Sequence, residues 1–230
     1  MKYRYTAIFI ILIALAAAGC TSTTQTSPAA STQPAASGTP TTASNAASGS
    51  TLSSMIDFSK VNWYEYRMTS DTGGTSTTSD LRWDYNIDYN GHKANKATMN
   101  MNMGTGDSAT TEVITSYTDV ASGATLGGHI KMMTGSQVVL DQDIQPGASA
   151  TTTPGASTEN PLTTYQGTSV TKIGTESVTV PAGTYTATKY TWTSGSNTGN
   201  VWVAPNVPIP VKMSYSAASS TTDMELVGWG

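Results

Sequence analysis

ESVTVPAGTYTATKYTWT, residues 176–193, reads as two strands folded back on a turn. Pro181 has no N–H to give a ladder and ends the first strand, and Gly183 allows a backbone turn that side chains disfavour. Strand resumes at Thr184, with Tyr185, Ala187 and Lys189 on one side and Thr186, Thr188, Tyr190 and Trp192 on the other. SGSNTG (194–199) turns the chain again, Trp202 follows on the partner strand, and APNVPIP (204–210) bends it before Val211, Met213 and Tyr215 alternate once more. Trp192 and Trp202 flank one turn, so a cross-hairpin pair is expected, worth roughly 0.2–1 kcal/mol.

Working outward, no stretch after residue 60 carries an apolar stripe of period 3.6, whereas period-two, Thr/Tyr/Val-rich runs recur. Strands are expected at 61–69, 80–90, 93–103, 110–120, 128–133 and 137–144, and again from Thr168 to the last run, TDMELVGW. Gly-rich connections such as DTGGTST and ASGATLGG supply tight turns, so neighbouring strands should pair in sequence order as a meander. Only TLSSMIDFSK (51–60) looks helical, as a short helix or 3₁₀ turn before the first strand. Residues 145–164 hold three prolines and no period, which marks a loop over a sheet face. The halves 60–144 and 165–230 read equally well as two sheets or as one. The fold class is therefore all-β or β-rich α+β, an antiparallel meander with one short N-terminal helix.

The order VTVPAGTYTATKYTW, VWVAPNVPIPVKM and a last strand MELVGW resembles envelope proteins of the LolA/LppX-like lipoprotein-carrier type and their relatives. The resemblance covers about the last sixty residues. It implies a strongly curved half-barrel with a helix or loop against the concave face, which in some relatives holds acyl chains. It brings no catalytic residues. The chain has NVPIP where relatives tend to carry a glycine-containing turn, and few of the leucines and phenylalanines expected around a lipid cavity.

The other end addresses the protein. MKYRYTAIFIILIALAAAG (1–19) has Lys2 and Arg4, then an apolar run to Ala18, the pattern of a secretory signal peptide. The run is short of the ~20 residues that span a bilayer core. AAGC, ending at Cys20, resembles the lipobox of prokaryotic lipoproteins, in which the cysteine is lipidated. Cys20 is the sole cysteine, so it has no intramolecular disulfide partner. Residues 20–51 follow as a tether: past Cys20 they carry no charge, aromatic or large aliphatic side chain and cannot offset the entropy of ordering. A single antiparallel β domain is expected over 52–230.

Without the leader, nine basic residues face fifteen acidic ones, and no basic cluster occurs, which argues against nucleic acid as a partner. The partners expected are a membrane through Cys20, and a lipid or another envelope protein. Met99, Met101 and Met103 alternate onto one strand face and with Trp192 and Trp202 make the candidate apolar face. Soft thioethers also suit Cu(I), with His92 and His129 to complete a site, although methionine alternation is more often core packing. No Gly-x-Ser-x-Gly elbow, phosphate loop or dinucleotide fingerprint is present, so no catalytic residue and no cofactor is expected. Trp63 and Trp83 read as core or, failing that, as a carbohydrate or partner platform. The function expected is a non-enzymatic, membrane-anchored extracytoplasmic lipoprotein binding a lipid, another apolar ligand or an envelope partner. The alternatives are a structural or adhesive surface protein with no pocket and a Cu(I)-binding module.

Overall fold

Turn chemistry sets the strand register. Gly73 and Gly74 both take positive φ (57° and 84°), as do Asn90 and Gly91 (50° and 82°), the geometry of two-residue hairpin loops whose twist matches that of the strands. The first closes β2 (Trp63–Thr72) on β3 (Thr75–Tyr89), and the second closes β3 on β4 (His92–Met103). In the computed structural model, which describes residues 50–104, 109–148, 160–164, 167–194, 197–217 and 219–230, the meander continues through β5 (Thr110–Asp119), β6 (Thr125–Thr134) and β7 (Gln137–Ile144). A second meander comprises β8 (Ser169–Val180), β9 (Gly183–Ser194), β10 (Asn197–Val203), β11 (Lys212–Ala217) and β12 (Ser220–Trp229). Val180 pairs with Gly183 across Pro181–Ala182, the turn expected from the sequence.

The two meanders form one sheet. β12 pairs antiparallel with β2 over Ser220↔Thr72 to Trp229↔Tyr64, so the last strand lies beside the first long one. Among the described residues the order is β1-β8-β9-β10-β11-β12-β2-β3-β4-β5-β6-β7, twelve strands in an unclosed antiparallel sheet. The short β1 (Ser50–Thr51) pairs with β8, so the final two residues of the expected tether belong to the sheet. The expected helix is a pair of 3₁₀ turns, Leu52–Met55 and Phe58–Lys60, the second capped by the Asp57 carboxylate accepting from the Ser59 N–H. A longer helix has no apolar stripe to bury.

The sheet curves back on itself: the Ala182 N–H, at the β8–β9 turn, donates to the Leu226 carbonyl of β12 at 2.9 Å, bringing together strands that are not neighbours in the sheet. One face is thus an inner, concave face, and the core lies there: Tyr64, Tyr66, Leu81, Ile114, Met213, Met224 and Leu226 are buried, on alternate positions of their strands. The connection from β7 to β8 runs from one edge strand of the sheet to the strand beside the other edge, and its helix α1 (Pro161–Thr164) buries Leu162 completely.

Candidate functional site

The inner face is a set of cross-strand rows. One runs Leu226–Tyr66–Leu81–Met99–Ile114–Ile130, all buried. The next begins Tyr190–Val201–Met213–Met224–Met68 and continues Ser79–Met101–Glu112–Met132–Leu140. A third places Trp192 on Gly199, followed by Tyr215 and Thr222. Met99, Met101 and Met103 share this face, and their exposure grows along β4, from 2% at Met99 to 36% at Met103.

At the opposite end the chain fills its own concavity. Phe58 stacks on Tyr64 at 6.1 Å and meets Tyr85 at 6.0 Å, and Trp83 lies 5.2 Å from Tyr64. The Tyr85 hydroxyl donates to that of Tyr64 at 3.3 Å and accepts from Asn160 Nδ2 at 3.1 Å, which ties the residue preceding α1 to β3. The Tyr66 hydroxyl donates to the Pro210 carbonyl, and the Asp57 N–H donates to the Pro208 carbonyl at 2.7 Å. Residues 204–210 therefore strap the inner face, with Val207 and Ile209 buried. Burial raises the pKa of Tyr64 and Tyr66 far above the usual phenol range and that of Tyr85 in the same direction, so all three stay neutral donors.

The outer face is charged and paired. Lys212 meets Glu225 at 2.7 Å and Arg67 meets Asp80 at 2.9 Å, in one row across β11, β12, β2 and β3. Trp202 belongs to this row, not to the methionine face. Ser194 pairs with Asn197, so Trp192 meets Gly199 while Trp202 meets Lys189, and the two indoles sit on opposite faces. The expected cross-hairpin pair is absent because the turn length sets the parity. Trp202 instead lies under Lys189 Nζ, 4.9 Å from the ring centroid, and donates through Nε1 to Glu176.

The histidines are also apart from the methionines. His129 faces outward on β6, with Nδ1 2.9 Å from Asp143 and Nε2 3.0 Å from Asp141. His92 opens β4, 3.4 Å from Asp119. A copper site built from Met99, Met101, Met103 and these imidazoles does not assemble. Among the described residues no group of three or more His, Cys, Asp or Glu is placed to hold a metal ion. Trp83 is core, whereas Trp63 carries the Arg82 guanidinium 4.1 Å above its ring and rests on Gly228 and Gly230.

A cleft of ≈ 570 Å³ opens where the hairpin ends meet, lined by Asp71, Gly73, Gly74, Thr198, Ser216 and Thr221 among others. It is hydroxyl-rich and separate from the methionine rows. Cys20 and the expected leader lie outside the described residues, and among those described no helix is long and apolar enough to cross a membrane. Inner-face residues that the sequence did not single out are Met68, Met224 and Glu112. Each is isolated locally and becomes part of a row only through pairing with another strand.

No family model matches the chain, and no curated protein matches it. Among solved structures it is similar to a hypothetical protein from Chlamydia trachomatis, at 10% identity over 79% of this chain and 92% of the other, with a TM-score of 0.36. It is similar to a DUF1329 family protein from Desulfovibrio piger, at 11% identity over 76% and 88% of the two chains, TM-score 0.32. It is also similar to a candidate lipoprotein from Parabacteroides distasonis, at 13% identity over 76% and 98%, TM-score 0.31. The fold rests on the strand register given above, not on these likenesses.

Proposed function

We propose that the chain is a lipid-anchored, non-enzymatic protein of the cell envelope, held by Cys20 on the outer face of a membrane, whose tethered β-domain recognises an envelope partner. The observation that sets this reading apart from lipid carriage is the filled core: Leu52, Leu162 and Ile209, all at 0% exposure, belong to the buried cluster of the inner face, where an acyl chain would need open room. The leader and AAGC motif support the anchor. Two acyl chains, at about 0.8 kcal/mol per buried CH₂, hold a protein firmly where one does not. A second reading, closer to the LolA/LppX-like resemblance, seats an apolar ligand where the inner face emerges at Met101 and Met103. The rising exposure along β4 favours it.

Membrane fractionation tests the anchor: Cys20→Ser is expected to release the protein or leave its leader uncleaved. Unchanged membrane retention with no lipid label would overturn it. Native mass spectrometry of the detergent-extracted protein separates the two readings. The lipidated chain alone is expected, and a stoichiometric additional lipid would replace partner recognition with apolar-ligand binding.

A further inference from the structure

Among the described residues Glu112 is the one fully buried carboxylate, at 0% exposure on the inner face of β5. Register places Met101 of β4 directly opposite it on one side and Met132 of β6 directly opposite on the other. Facing residues of antiparallel strands have Cα atoms about 4.5–5.5 Å apart and side chains on the same face. Three rotatable bonds let each thioether reach over the carboxylate. The adjacent row shows the contrast: at the equivalent strands it carries Met99, Ile114 and Ile130, a plain apolar filling. A carboxyl group with a methionine on each side is a different donor set, two soft sulfurs and a carboxyl oxygen.

We propose that Met101, Glu112 and Met132 bind one soft monovalent cation, Cu(I) or its analogue Ag(I). Thioethers select Cu(I) over harder ions, whereas Ca²⁺ requires six to eight oxygens and Mg²⁺ an octahedral oxygen shell. Met101 and Met132 are half-buried, and Met103, the next inner residue of β4, is 36% exposed, so a thioether stands between solvent and the site. The site uses neither histidine and does not depend on the anchor.

The test is anaerobic Cu(I) competition against bicinchoninate on the full chain, with Cys20→Ser in every sample so that no thiol competes. One equivalent of Cu(I) is expected to bind. Met101→Leu with Met132→Leu, a volume-conserving pair that keeps the core packed, should weaken binding at least about tenfold. Met213→Leu with Met224→Leu, from the same row but away from Glu112, should leave it unchanged. Equal affinity in the first pair, or equal loss in both pairs, overturns the site. Unchanged thermal unfolding of the apo forms identifies variants that remain folded, and Met ε-methyl shifts on Cu(I) addition confined to residues 101 and 132 provide a readout that packing alone does not move.

Discussion

Gly199 sits under the indole of Trp192, and a Cβ placed there would lie 2.2 Å from Trp192 Cε2. The glycine therefore makes room for an aromatic ring across the hairpin. Gly199→Ala is expected to lower stability by about 1–3 kcal/mol in urea denaturation, the range for overpacking, with part of the loss recovered in a Trp192→Leu background. At Gly128 a Cβ would meet the Thr115 carbonyl oxygen at 2.2 Å. That obstacle is backbone and cannot rotate away, so Gly128→Ala should cost at least as much. Period two was enough to place Met99, Met101 and Met103 on one face, because alternation is local to a strand. It could not place Trp202, whose face depends on the loop length between two strands, nor distinguish Gly199, a turn glycine by composition, from a packing glycine.

The strap 204–210 and the tyrosines beneath it form one element-scale unit. Tyr66 is fully buried and its hydroxyl serves the Pro210 carbonyl, so Tyr66→Phe orphans that acceptor and should cost about 1–3 kcal/mol. Faster amide exchange at Val211, whose N–H donates to the Trp202 carbonyl, is the local readout. The same phenols set an alkaline limit. Their folded pKa values are raised, so the folded state keeps protons that the unfolded chain loses above about pH 10. Stability from this cluster is then fully present below about pH 10 and declines as pH rises beyond it. Urea midpoints measured from pH 8 to 11.5 should be flat and then fall, and the fall should be shallower in Tyr66→Phe.

At the scale of the molecule the β12–β2 ladder is the seam between two meanders. Residues of both meanders enter one buried cluster, from Leu81 and Ile114 to Val201 and Met213. Unfolding should accordingly be a single cooperative transition. With 5-fluorotryptophan incorporated, the resonances of Trp63 and Trp83 are expected to disappear in step with those of Trp192 and Trp202 across a urea series. Separate loss of the second pair would show that the C-terminal meander is an independent unit.

Composition and period two by themselves determined a β-rich antiparallel meander, most strand positions and the Pro181–Gly183 turn, since each depends on neighbours within a few residues. The expectation of a leader and of a lipidated Cys20 is likewise read from linear patterns. Only the tertiary structure decided that the meanders share one curved sheet, that Ser50 and Thr51 join its edge, and that Glu112 stands between Met101 and Met132. Those facts come from pairings between residues far apart in the chain. Register there is set by bulges, turn lengths and the whole core at once, and no local stretch of sequence carries that information.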